Sequence, residues 1–88
     1  NGLLRYALAS ALERAGHLNS AIEKFEQITS NKQNYLHIQA NAWFRLACLA
    51  SDEHREKFLR NCLLLTSDHV AAKKLLAEIE NTKYQIPS

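Results

Sequence analysis

Cysteine and histidine are the residue types in this sequence best suited to bind a metal ion or to act as nucleophile and base. The histidines and cysteines are His17, His37, His54, His69, Cys48 and Cys62. No two of them have the Cys-x2-Cys or His-x3-His spacing typical of zinc sites. Neither Cys48 nor Ser10 has a neighbouring base or a strained turn that would activate it as a nucleophile. We therefore expect no metal, no cofactor and no catalytic residue.

Composition argues against several other functions. With only 2 glycines among 88 residues, the chain has no glycine-rich phosphate loop. The formal net charge is +2 and the basic residues are interspersed with acidic ones, so we expect no nucleic-acid partner. The apolar runs are short, which predicts no membrane insertion. Cysteines without a disulfide framework favour a cytoplasmic location, and the absence of methionine leads us to expect a fragment of a larger protein.

Composition and periodicity predict an all-α protein with five helices. Half of the residues are Ala, Leu, Glu, Lys or Arg, and there is a single proline. Breakers, caps and apolar stripes place the helices around residues 3–15, 18–28, 34–50, 51–65 and 69–82. The third helix carries two apolar seams, which predicts packing on two sides. Ser67 and Asp68 are the expected cap of the fifth helix.

A self-comparison of these helices reveals a repeated motif. The first unit has Arg5-x2-Leu8-Ala9-x2-Leu12 and Ala21-x3-Phe25, the second has Trp43-x2-Leu46-Ala47-x2-Ala50 and Arg55-x3-Leu59, and the third has Lys73-x2-Leu76-Ala77-x2-Glu80. The chain thus resembles two and a half tetratricopeptide repeats, whose pattern is W-x2-L-G-x2-Y followed by A-x3-F. The resemblance implies antiparallel helix hairpins stacked as a short right-handed α-solenoid in a single domain over residues 1–88. The first repeat would cover residues 2–33, the second 34–67, a capping helix 68–83 and a tail 84–88.

The spacing and size of the repeated residues predict particular features of this helical stack. Leu8 and Leu46 are 38 residues apart, and Leu46 and Leu76 are 30 apart, against a nominal period of about 34. Because four residues make roughly one helical turn, the longer interval predicts an extra turn at the start of the third helix. We expect close helix approach at the small residues Ala9, Ala47 and Ala77. The space between helices would be filled by Leu12, Phe25, Trp43 and Leu59.

The concave wall of such a stack, formed by the first helix of each pair, is the usual peptide-binding surface of the family. The resemblance places on it the candidate ligand-binding residues Tyr6, Ser10, Glu13, Asn41, Phe44, Arg45, Cys48, Lys74 and Glu78. The repeat does not require Tyr6 and Phe44 for its core, so both are candidate anchors for an apolar ligand side chain. Packing within a wide apolar face is the alternative for both. Arg45 and Lys74 could hold an acidic peptide, although solvated surface charges give the same pattern.

These observations favour a non-catalytic module that binds a protein or peptide segment on its concave face. The alternative is a structural segment that self-associates or packs against another domain of the same chain. The one-sided apolar stripe of the fifth helix predicts a cap with a polar outer face. The first helix has few polar residues, so we expect its outer side to form a weak homodimer.

Overall fold

The computed structural model describes residues 2–84 and shows an all-α protein. Within this range the chain forms five helices and no strand. They are α1 (Gly2–Arg14), α2 (Leu18–Ser30), α3 (Leu36–Leu49), α4 (Asp52–Leu65) and α5 (Val70–Tyr84). Each end lies within two residues of its predicted position. Tyr84, expected to begin the tail at residues 84–88, is instead the last residue of α5, and residues 85–88 lie outside the described residues.

Gly16 ends α1 with a left-handed backbone conformation. Its φ of 88° lies in the left-handed region, which a residue with a Cβ atom adopts only with strain. The Gly16 N–H donates to the Glu13 carbonyl at 3.1 Å, and the His17 N–H donates to the Leu12 carbonyl at 2.9 Å. These bonds form a Schellman motif, which satisfies carbonyl groups that a helix end leaves without partners. The chain therefore reverses tightly, and α2 packs against α1.

The third helix contains the extra turn that the repeat spacing predicts. When Leu46 is aligned with Leu76, Ala40 in α3 is equivalent to Val70, the first residue of α5. Helix α3 begins at Leu36, four residues before Ala40, which is about one turn. A whole turn leaves the direction of the later side chains unchanged, so the buried faces of α3 and α5 stay in register.

Side-chain amides hold the segment between α2 and α3. Asn34 Nδ2 donates to the Ile28 carbonyl at 3.0 Å, and the buried Gln39 donates through Nε2 to the Asn34 carbonyl at 2.6 Å. Gly2 lies against the same segment, because a Cβ atom at Gly2 would clash with the Asn34 side chain. The start of α1 therefore lies beside the loop that leads into α3.

The helices enclose two apolar clusters that meet along α3. The first cluster lies between α1, α2 and α3 and consists of Ala9, Ala21, Phe25, Ile28, Ile38, Ala42 and Leu46. The second lies between α3, α4 and α5 and consists of Ala40, Ala47, Leu59, Cys62 and Ala72. Trp43 and Phe58 pack against both clusters, with ring centroids 5.5 Å apart. Helix α3 is therefore buried on two sides, as its two seams predict.

The prediction of close approach at small residues is correct for the first two units and wrong for the third. Ala9 and Ala47 are fully buried, because α2 and α4 pack against the helices that carry them. Ala77 is exposed, since among residues 2–84 no helix covers that face of α5. Burial at the repeated position thus follows from the neighbouring helix rather than from the alanine.

The four larger residues expected to fill the core divide into two pairs. Phe25 and Leu59, which occupy equivalent positions of α2 and α4, are both fully buried. Leu12 and Trp43 are only partly buried, although both pack against the first cluster. Phe25 and Leu59, from the second helix of each hairpin, therefore lie at the centre of each cluster, whereas Leu12 and Trp43, from the first helices, lie at its margin.

Cys62 is enclosed in the second cluster. Burial raises the pKa of its thiol from 9.0 to about 11, against the lowering effect of a hydrogen bond with Thr66. In the unfolded chain the thiol ionises near its ordinary pKa. Between pH 9 and pH 11 the folded protein therefore binds more protons than the unfolded chain, so the free energy of unfolding falls as the pH rises.

We expect the Cys62→Ala variant to lose the part of the pH dependence of the free energy of unfolding that this thiol causes. From pH 9 to pH 11 the free energy of unfolding should fall more steeply for the wild type than for the variant. Below about pH 8 the two curves should run parallel, since the thiol is then protonated in both states. Urea unfolding followed by circular dichroism measures both curves. Curves that stay parallel up to pH 11 would contradict the assignment of the buried thiol.

Candidate functional site

Four of the predicted ligand-binding residues lie together between α1 and α3. Glu13 is in the last turn of α1, and Arg45 projects from α3 towards it. Arg45 Nε donates to Glu13 Oε1 at 3.0 Å, and a second Arg45 nitrogen, Nη2, donates to Glu13 Oε2. This bond with Glu13 raises the pKa of the Arg45 guanidinium, and partial burial opposes the shift. Tyr6 and Cys48 are near enough to interact electrostatically with the pair. A bidentate pair fixes the relative position of the two helices.

Tyr6 packs against the first cluster, contrary to the expectation that the core does not require it. Its ring lies edge-on to Phe25, with centroids 5.6 Å apart and an interplanar angle of 71°. Burial raises the pKa of the Tyr6 hydroxyl, while the nearby Arg45 lowers it. The aromatic ring therefore stabilises the packing of α1 on α2.

Cys48 lies beside the ion pair and is half-buried. Burial raises the pKa of its thiol, and the positive charge of Arg45 counteracts this effect. At neutral pH the thiol is protonated, and a protonated thiol is a poor nucleophile. Nothing in this arrangement of Cys48, Arg45 and Glu13 activates the sulfur for covalent chemistry.

Sequence reasoning missed the role of His69, which lies directly before α5. Its Nδ1 accepts a hydrogen bond from the Ala72 N–H at 3.1 Å, and its Nε2 lies 2.8 Å from Asn41 Oδ1 on α3. Because Nδ1 accepts, Nε2 carries the proton and donates to Asn41. His69 is therefore the N-cap of α5, where Ser67 and Asp68 were expected, and it also ties α5 to α3.

Phe44 also contacts its own chain. Its ring centroid lies 5.2 Å from that of His69, and the guanidinium carbon of Arg45 lies 6.0 Å from the Phe44 centroid. The ring is partly buried against the second cluster, so the expectation that the core does not need Phe44 is wrong. Phe44 thus joins the ion pair on one side to the cap of α5 on the other.

Ser10, Lys74 and Glu78 are the remaining predicted residues. Ser10 is half-buried on α1, and Lys74 and Glu78 are exposed on α5. Glu78 borders a groove between α4 and α5, whereas Lys74 does not line it. The contacts described above therefore join Tyr6, Glu13, Arg45 and Cys48 into one group and do not extend to the predicted residues of α5.

The groove between α4 and α5 was not predicted from the sequence. Its volume is about 870 Å³. The α5 side includes the apolar Leu75 and Ile79, and the α4 side is polar, with Glu53, Glu56, Lys57, Arg60 and Asn61. Glu56 is equivalent to Ile22 of α2, which packs against the first cluster. An acidic residue at this position keeps α4 from closing on α5, because a carboxylate is costly to bury.

The charges along the groove are partly paired. Arg60 on α4 lies 3.4 Å from Glu56 on the same helix and 3.3 Å from Glu80 on α5. Among the described side chains, Lys57 and Glu78 have no ion-pair partner. Lys57 and Glu78 can therefore interact with a ligand without the loss of an ion pair within the protein.

Within residues 2–84, no three His, Cys, Asp or Glu side chains are grouped as the ligands of a metal ion would be. None of the described helices combines the length and the apolar character needed to cross a bilayer. Cys48 and Cys62 are both free thiols.

A double-mutant cycle on Glu13 and Arg45 should reveal stabilising coupling. We expect Glu13→Gln and Arg45→Gln each to lower the free energy of unfolding by about 1–2 kcal/mol, because each leaves a partly buried charge without its partner. The coupling energy should be about 1 kcal/mol. The exposed pair of Arg60 and Glu56 is the control, with coupling below about 0.5 kcal/mol. Equal coupling in both cycles, measured by urea unfolding, would refute the structural role of the partly buried pair.

Replacing His69 by Ala should destabilise the protein by about 1 kcal/mol, because the N-cap bond to Ala72 is lost. His17 provides a matched control, since it is the N-cap of α2 but its side chain makes no capping hydrogen bond. We expect His17→Ala to change stability by less than about 0.5 kcal/mol. Thermal melts of both variants give the comparison. If the two substitutions have the same effect, the His69 side chain is not the cap.

The chain has no match among protein-family models, curated proteins or solved structures. The structure itself shows five helices in which neighbours along the chain pack against each other. The function is therefore inferred from the geometry of the groove and of the side chains around it.

Proposed function

We propose that this chain is a non-catalytic interaction module that binds a peptide segment of a partner protein in the groove between α4 and α5. The groove carries this proposal because it combines an apolar floor with a charged rim, as peptide-binding grooves do. Leu75 and Ile79 form the floor, and both are only partly buried in the free chain. Covering them with an apolar ligand would remove more of their surface from water.

The shape of the groove suits an elongated ligand. Its volume of about 870 Å³ is within the range of small-molecule sites, but it lies open between two helices. Leu75 and Ile79 are four residues apart on α5, so their side chains are neighbours along the groove. This spacing matches apolar side chains that follow one another on one face of a bound helix. Lys57 and Glu78, which carry opposite charges, would orient the bound segment.

The repeat interpretation supports a binding role for a preformed surface. Phe25 and Ile28 of α2 are equivalent to Leu59 and Cys62 of α4, and all four are fully buried. We interpret α1–α2 and α3–α4 as two tetratricopeptide-type repeats in a short right-handed solenoid, with α5 as the capping helix. Proteins of this architecture use extended surfaces of stacked helices to bind their partners.

Of the residues first expected to bind a ligand, Glu78 alone lines the proposed groove. On α1 and α3, Glu13 is paired with Arg45, and Asn41 with His69. A ligand that used these groups would first have to break contacts within the protein. The groove between α4 and α5 carries no such cost for Glu78, whose carboxylate is exposed.

Peptides selected from a random display library on the immobilised 88-residue chain provide the test. We expect Ile79→Ser to weaken their binding by about tenfold or more, because it removes an apolar anchor. Val70→Ser is the matched control, since Val70 is an exposed apolar residue of the same helix outside the groove. Fluorescence anisotropy measures the affinities. The variant Lys57→Glu reverses a charge at the rim of the groove without altering the core. Peptides whose affinity is insensitive to both Ile79→Ser and Lys57→Glu would contradict the proposal.

A further inference from the structure

Exposed apolar side chains form a stripe on α1, away from the groove. Leu4 is 74% exposed and Leu8 is 49% exposed. At about 100° per residue, these leucines and the exposed Ala11 lie on one face of the helix. The exposed Leu64 and Val70 lie singly on α4 and α5. Isolated exposed residues are ordinary, whereas a continuous stripe marks an interaction surface.

The internal repeat shows what kind of element covers such a stripe. In the alignment of the repeated motif, Leu4, Leu8 and Ala11 are equivalent to Ala42, Leu46 and Leu49 of α3 and to Ala72, Leu76 and Ile79 of α5. On α3, Ala42 and Leu46 belong to the first cluster and Leu49 packs against it, on the side of α2. On α5, Ala72 belongs to the second cluster, and the partly buried Leu76 and Ile79 pack against it on the side of α4. In both cases the cover is an amphipathic helix.

We propose that the exposed stripe of α1 binds an amphipathic helix of a separate partner chain, seated as α2 is seated on α3. The stripe occupies the same position in the repeat as two surfaces that the protein already covers with a helix. A bound helix would therefore continue the pattern of contacts that builds the rest of the molecule. This surface is independent of the groove between α4 and α5, so either proposal can fail without the other.

The charges beside the stripe specify the partner further. Arg5 and Arg14 lie on its two sides, both are exposed, and neither has an ion-pair partner among the described side chains. Glu13 is directed towards Arg45 on α3. The partner helix is therefore one with acidic residues beside its apolar stripe. Glu23 and Glu26 of α2 lie near Arg5, but neither forms an ion pair with it. Two copies joined through α1 would bring Arg5 and Arg14 of both copies together, which disfavours the homodimer expected from the sequence.

The α2 segment of this chain, prepared as a labelled synthetic peptide of residues 17–33, is a suitable probe. It is the helix that covers the equivalent stripe on α3, and it carries Glu23 and Glu26. In fluorescence anisotropy with the full 88-residue chain we expect saturable binding with a Kd between about 10 µM and 1 mM. Leu8→Glu in the chain should weaken binding about tenfold or more. The peptide substitutions Glu23→Lys and Glu26→Lys together should weaken it about fivefold.

The variant Leu64→Glu is the matched control, because it places the same substitution at an exposed leucine of α4 outside the stripe. It should bind the peptide as the wild type does, and circular dichroism melts should show that both variants fold. Binding that survives Leu8→Glu, or no binding up to about 1 mM peptide, overturns the proposal. A wild-type dimer that Leu8→Glu dissociates, seen by sedimentation, also overturns it, since a second copy then covers the stripe.

Discussion

The burial of α3 on two sides is the constraint on which the rest of the structure depends. One face of the helix, with Ala42 and Leu46, closes the first cluster, and another, with Ala40 and Ala47, closes the second. The small alanines let α2 and α4 approach closely, and Trp43 fills the margin where the two clusters meet. Neither hairpin could bury its apolar stripe alone. The two halves of the protein are therefore joined through a single helix.

Periodicity predicted the helices and their order because it reports directly on which side chains avoid water. The intervals between Leu8, Leu46 and Leu76 even located the extra turn of α3, since a whole turn preserves the buried face. The same reasoning failed at Ala77. A repeated residue is buried only where a neighbouring helix covers it. The sequence of α5 by itself does not show which of its faces another helix covers.

The polar contacts between helices could be predicted only in part. Glu13 and Arg45 were placed on one face by the repeat, but their pairing depends on two side-chain conformations on helices far apart in the chain. His69 is not among the residues that propensity favours as an N-cap, so the sequence favoured Ser67 and Asp68 instead. The groove results from Glu56 replacing the equivalent of Ile22, which requires comparison of the two second helices.

The side of α4 that faces α5 is polar, and this also determines which part of the protein unfolds first. Of the described α5 side chains only Ala72 is fully buried. The polar contacts that hold the helix include the hydrogen bond between its N-cap, His69, and Asn41, and the exposed ion pair of Arg60 with Glu80. Segments with little buried apolar surface open at a lower free energy than the whole molecule. Helix α5 is therefore the unit expected to unfold first and to exchange its amide hydrogens fastest, while the two hairpins remain folded.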